Sequence, residues 1–192
     1  MPRLWNQTIE AHRRDVRAAI MDTTAALIVE RGLLAVTMSD IAQESGIGRA
    51  TLYKYFPDVE SILRAWHERR MAAHLDELIR ARDAAADPSA KLEAVLETYA
   101  LLVHGSHGYR DPELVSFLHR DPQVARAEHR LRQIVRDLIA AATEAGRVRD
   151  DVASGELAAF CVQALAAARD ARTRAAARRL VRVTMDALRP ER

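Results

Sequence analysis

Apolar residues recur at spacings of three and four through nearly all of this chain, and two-residue alternation is never sustained, so the expected fold is all-α. A first helix is predicted over 8–30, with Ile20, Thr24, Leu27 and Ile28 on one face and Gly32 as its stop. Two short helices follow at 38–45 and 49–55, the first capped by Thr37 and ended by Gly46. Phe56-Pro57-Asp58 breaks the chain before a long helix at 59–82, whose stripe is Leu63, Trp66, Met71, Leu75 and Leu78. Asp87-Pro88, Asp111-Pro112 and Asp121-Pro122 mark three more starts. An Asp carboxylate accepts from free N–H groups of a first turn, and proline there loses a donor that has no helical partner. These starts predict helices at 88–104, 112–119 and 122–145, with Gly105 and Gly146 as stops for the first and last. Helices at 154–168 and 172–188 close the chain, about nine in all.

Residues 37–56, TMSDIAQESGIGRATLYKYF, have the pattern of a helix–turn–helix. Ile41 points inward, Ala42 is small enough for a close crossing, and Gly46 suits a left-handed turn position. Ile47 plugs the turn, while Leu52 and Phe56, four apart, hold the second helix down. Arg49, Ala50, Thr51, Tyr53, Lys54 and Tyr55 are then left on the outer face or first turn. Arginine pairs with the O6/N7 edge of guanine, and Thr, Tyr and Lys groups bind phosphate oxygens. Thr37 and the upstream Arg13, Arg14 and Arg17 are candidates for the flanking phosphates of double-stranded DNA. The residues alone leave open an all-helical interaction module whose helix–turn–helix docks protein instead.

The run from Arg14 to Leu63 resembles the N-terminal domain of the TetR (tetracycline-repressor-like) family. Ala18-Ala19-Ile20, Gly32, Thr37, Ile41-Ala42, Ser45-Gly46-Ile47, Thr51-Leu52-Tyr53 and Tyr55-Phe56 carry the resemblance. It implies a three-helix DNA-binding domain over residues 1–57. A helical ligand-binding and dimerisation domain would then occupy 58–192, with its last two helices forming a four-helix bundle in a homodimer. It implies a cytoplasmic bacterial transcriptional regulator, a repressor released from an inverted-repeat operator by a small effector. Two positions depart from the family pattern. Val59 and Glu60 stand where a Lys or Arg is usual, removing one phosphate contact, and Gly48 replaces the usual Ser or Thr cap before Arg49. Glycine is the weaker cap by only a few tenths of a kcal/mol.

Charge complicates the picture. The 192 residues carry a net charge of +2, from 29 Lys and Arg against 27 Asp and Glu. Residues 1–60 hold 7 cations and 8 acids, whereas 121–192 hold 14 and 10. The basic excess therefore lies far from the helix–turn–helix, around Arg169, Arg172, Arg174, Arg178, Arg179 and Arg182. On an Ala-rich segment such a run reads as the solvated face of a helix. DNA affinity would then rest on a few placed groups and on dimeric register.

An effector pocket is expected among Trp66, Tyr99, Leu102, Phe117, Ile134, Leu138 and Gln163. With aromatics at 5%, an aliphatic cavity for a small hydrophobic effector suits the composition better than a stacking cage. Leu157, Phe160, Cys161, Ala164, Ala168, Leu180, Val183 and Ala187 are candidates for the dimer seam, where small residues allow close helix approach. The single cysteine excludes an intrachain disulfide framework, and packing is the expected role of Cys161. His104 and His107 lack the convergent ligands a zinc site needs, so no metal or cofactor is expected. No nucleophile elbow, phosphate loop or dinucleotide fingerprint suggests an enzyme, and no apolar run suggests a membrane span or leader.

Overall fold

A computed structural model describes residues 2–106, 114, 116, 117 and 122–190. Among these residues there are eight α-helices and no strands: α1 (Pro2–Arg31), α2 (Met38–Ser45), α3 (Arg49–Tyr55), α4 (Val59–Ala84), α5 (Pro88–Gly105), α6 (Pro122–Glu144), α7 (Ser154–Ala166) and α8 (Arg174–Ala187). The helix expected over 112–119 lies mostly outside the described residues, as do Asp111-Pro112, Asp121 and His107 and His119; Leu114, Ser116 and Phe117 are helical.

The chain divides into two compact units, and the division falls inside α4, after Arg70. The first unit takes in residues up to 70 with Leu114, Ser116 and Phe117; the second takes in 71–106 and 122–190. The expected domain boundary at 57/58 lies earlier because Ile62, Leu63 and Trp66, in the first turns of α4, are buried in the first unit's core.

In the first unit, α1 packs on α2 and α2 on α3. Ile20, Ile28, Ile41, Leu52, Ile62 and Leu63 are fully buried there. Thr24 is buried among them because its hydroxyl donates to the Ile20 carbonyl at 2.8 Å. That bond removes the cost of an unpaired hydroxyl in an apolar core. An exposed ion pair between Arg69 and Asp22 ties α4 to α1.

In the second unit, α5 packs on α6 and α8, and α6 on α7, around Leu92, Leu96, Ile139, Leu165 and Leu188. The Asp87 carboxylate caps α5, accepting from the N–H groups of Ser89 and Ala90, each at 3.0 Å. Gly146 ends α6 at φ 67°, with Arg147 N–H donating to the Ala142 carbonyl and Gly146 N–H to that of Thr143. This is the two-bond Schellman closure that a left-handed residue permits. Gly105 behaves differently. It is the last helical residue of α5, Ser106 is the C-cap at φ −81°, and no left-handed turn is made. The seventh helix stops at Ala166 and tightens into a 3-10 turn over Ala167–Asp170. The last helix begins at Arg174, two residues later than expected, because Thr173 caps it by accepting from the Ala176 N–H at 3.1 Å.

Candidate DNA-binding surface

The surface is built from α1, α2 and α3 of the first unit. The Thr37 hydroxyl accepts from the Asp40 N–H at 3.3 Å, and the Asp40 carboxylate accepts from the Thr37 N–H at 2.8 Å. This reciprocal cap satisfies two donors that the first turn would otherwise leave open. The same carboxylate accepts the Thr37 hydroxyl proton at 2.5 Å. These bonds from Thr37 hold the Asp40 carboxyl below the usual carboxylate range, with Arg31 adding a smaller pull. Thr37 is thus already occupied, and a phosphate beside it would meet the Asp40 charge. The Thr-x-x-Asp spacing is the sequence signal for this cap.

Gly46 ends α2 at φ 68°, the left-handed region that lets the chain turn at once toward α3. Ala42 is buried and Ile47 half-buried at the turn. Within α3, Leu52 is completely buried, and Phe56, just past its end, is 2% exposed. Those two anchors orient the helix. Arg49, Ala50, Thr51, Tyr53 and Lys54 are exposed on it, Tyr53 to 49%. Tyr55 is different: it is half-buried and packs against the core, so it does not share the outer face expected for it. Gly48 precedes α3 with no side-chain cap.

On α1, Arg13, Arg14 and Arg17 are all exposed. Arg14 Nε donates to the Glu10 carbonyl at 3.4 Å. The Arg17 guanidinium lies over the Phe56 ring, 4.5 Å from its centroid. A cation on an aromatic face is attracted by the ring quadrupole. Arg17 therefore joins α1 to the end of α3 while keeping its charge at the surface.

Two profiles of known families match. Residues 20–66 match bacterial regulatory proteins of the tetR family, and residues 87–190 match the C-terminal domain of SbtR-like transcriptional regulators. The second alone covers more than half of the chain. The chain belongs to the TetR family. This family consists of DNA-binding transcriptional regulators, which bind operator DNA and small-molecule effectors, typically as dimers. The chain is similar to the transcriptional regulator BetI of Rhizobium meliloti, 34% identical over 80 residues, which are 42% of this chain and 39% of that one. It is also similar to the repressor KstR2 of Rhodococcus jostii, 35% identical over 95 residues, or 47% and 45% of the two chains. The chain thus spans less than half the length of these curated relatives. A TetR/AcrR-family regulator from Thermobifida fusca shares the fold at a TM-score of 0.75 and 18% identity, over 90% of this chain and 97% of that one.

The other TetR-family expectations fall in several places. Trp66 is buried in the first unit with Arg70 over its ring at 5.3 Å, and Phe117 is half-buried there with Arg64 over its ring at 5.2 Å. Ile134 and Leu138 are buried in the second unit's core, with Tyr99 and Leu102 packed against it. Burial first, and then Glu128, pushes the Tyr99 phenol up; Arg169 and Arg132 act the other way. Gln163 is exposed on α7. Of the dimer-seam candidates, Leu157, Cys161 and Ala168 are buried in the second unit's own core, where packing within the chain already consumes their surface. Burial pushes the Cys161 thiol up to about 12. Ala164 and Leu180 are half-buried, and Ala187 is exposed. Phe160 and Val183 are 47% and 66% exposed. Among the described residues no three His, Cys, Asp or Glu groups are placed to hold a metal, and no helix is long and apolar enough to cross a membrane.

Proposed function

We propose that this chain is a ligand-responsive repressor of transcription, without enzymatic activity, that binds an inverted-repeat operator in double-stranded DNA as a cytoplasmic homodimer. The observation that carries the reading is the division of faces on α3. Leu52 and Phe56 are sunk in the core while Arg49, Thr51, Tyr53 and Lys54 stand exposed beside them. A helix held this way can be laid in a major groove without losing its anchors. Arg49 reads a base edge, and Thr51, Tyr53 and Lys54 fix register on phosphates. Arg13, Arg14 and Arg17 reach the flanking backbone.

Residues 1–57 supply the DNA contacts and 58–192 the effector site and the dimer contact. Tyr99, Leu102, Ile134 and Leu138 form the apolar lining for a small hydrophobic effector. Phe160, Val183 and Ala187, exposed apolar groups on α7 and α8, form the contact with the second copy. Release follows as a population shift: the effector favours a dimer whose two α3 helices no longer match adjacent major grooves. Near-complete release requires the effector to prefer that state by about 5.5 kcal/mol.

The test is a gel shift with the DNA upstream of the protein's own coding sequence, at stated salt. Tyr53→Phe and Lys54→Ala should weaken binding on every sequence, while Arg49→Ala should also relax base preference. Equal operator affinity for the triple variant and the parent would reject the assignment.

A further inference from the structure

The arginine run at the C-terminal end does not form one solvated stripe. Arg178 leaves it, its Nε donating to a Glu97 carboxylate oxygen at 2.7 Å across to α5. Arg169, Arg172 and Arg174 instead line one shallow, open groove of about 690 Å³ in the second unit. Leu101 and His104, from the last turns of α5, form its other wall, and Asp170 contributes the one carboxylate. None of the residues expected to line the effector pocket takes part.

The lining of this groove holds three arginines against one carboxylate. Among the described residues, most ion pairs join an arginine to a carboxylate one to four residues away, as in Arg64–Glu60, Arg132–Glu128 and Arg189–Asp186. Among the described residues, Arg169, Arg172 and Arg174 make no ion pair, and Asp170 pairs with none of them. The first turn of α8 holds no acidic residue that could neutralise them. Three exposed arginines, from the 3-10 turn, the connecting loop and the start of α8, therefore line one opening with a surplus of positive charge. Like charges gathered on a concave wall repel one another, and an anion between them removes that repulsion. Guanidinium forks match phosphate oxygens in two-point hydrogen bonds, and the volume lies in the range of small-molecule sites.

We propose that this groove binds a phosphorylated small molecule carrying at least two negative charges. Arg169, Arg172 and Arg174 take the phosphate oxygens, and Leu101 gives the apolar wall. None of these residues belongs to the apolar effector lining, although Arg169 lies near enough to Tyr99 to act on its phenol.

The experiment is calorimetric titration of the full chain with pyrophosphate and with ADP, at constant ionic strength set with sodium chloride. Saturable binding of one equivalent per chain is expected. Arg169→Ala and Arg172→Ala should each weaken it about tenfold, the loss of one charge-assisted contact. Arg179→Ala, an exposed α8 position away from the groove, should bind as the parent does. Melting curves check that each variant folds; if Arg172→Ala melts early, Arg172→Gln takes its place. Three results would overturn the proposal. One is a titration that does not saturate. Another is equal weakening by Arg179→Ala, which would mean diffuse attraction to the whole face. The third is loss of double-stranded DNA binding in the Arg169 and Arg172 variants while pyrophosphate binds none of the proteins, which would assign the surface to nucleic acid.

Discussion

Replacing Leu52 with Ala should damage operator binding by loosening α3 rather than by removing a DNA contact. The helix has only seven residues, Arg49–Tyr55, and isolated helices shorter than about 12–15 residues are marginal in water. What holds it is burial, since Leu52 is 0% exposed within a core cluster that includes Ile20, Ile41 and Trp66. Leu→Ala changes in enclosed sites cost about 2–5 kcal/mol, because the lost transfer energy is joined by a cavity that the surroundings only partly fill. A loss of about 3 kcal/mol is a large share of the ~4–10 kcal/mol that roughly 70 residues can be expected to supply. At ~4 °C or more per kcal/mol for a unit of that size, the unfolding midpoint should fall by about 12 °C or more. Trp66 lies in the same core and reports on it by fluorescence, provided that the second tryptophan, Trp5, is replaced by Phe. Operator binding should fall at assay temperatures near the lowered midpoint and recover on cooling. Lys54→Ala is the contrasting case, with stability changed by no more than ~0.5 kcal/mol and operator binding weakened at every temperature. If Leu52→Ala melts within ~2 °C of the parent, the anchoring argument is wrong, and α3 is held by something other than Leu52.

Three further outcomes follow from local chemistry. Gly46→Ala should lower stability by about 1 kcal/mol in urea unfolding; a Cβ there meets nothing within 4 Å, so the cost is that of the left-handed backbone at φ 68°. The Asp40 carboxyl is lowered by its bonds from Thr37, so its stabilising contribution is present above the unfolded Asp value near ~4 and is lost as pH falls through the lower folded value. Asp40→Asn should therefore melt below the parent at pH 7, and the gap should narrow as the melts are taken into acid. Cys161, buried and pushed up to about 12, should resist a thiol reagent at pH 8 in the folded chain and react once denaturant is added. Fast labelling of the native chain would contradict its burial.

Much of this molecule was readable from residue order because helix punctuation is local chemistry. Thr37, Gly46, Asp87-Pro88 and Gly146 act within one turn of themselves, through a side-chain oxygen or a permitted backbone angle. The helix–turn–helix was readable for the same reason, and its anchors Ile41, Leu52 and Phe56 are buried as their spacing predicts. Gly105 marks the end of α5 as expected, but as its last helical residue and not as a left-handed stop, because glycine permits that conformation without requiring it.

Choices among neighbouring faces lay beyond the reach of residue spacing. Tyr53 and Tyr55 are the same residue type two positions apart, yet one is 49% exposed and the other packs on the core, because of what α1 and α2 present to each. Arg17 looks like a free phosphate-binding cation until Phe56 is brought beneath it by a chain reversal 39 residues later. Leu157 and Cys161 carry the same helical period as Phe160, but only folding shows that the first two face the chain's own core. The C-terminal arginines make the point most sharply. Their order along the chain describes a charged stripe, whereas packing against α5 gives Arg178 a carboxylate and places Arg169, Arg172 and Arg174 around one groove. Local propensity and capping act within a few residues and are written in order. Burial, pairing and concavity depend on groups that meet only once distant helices pack.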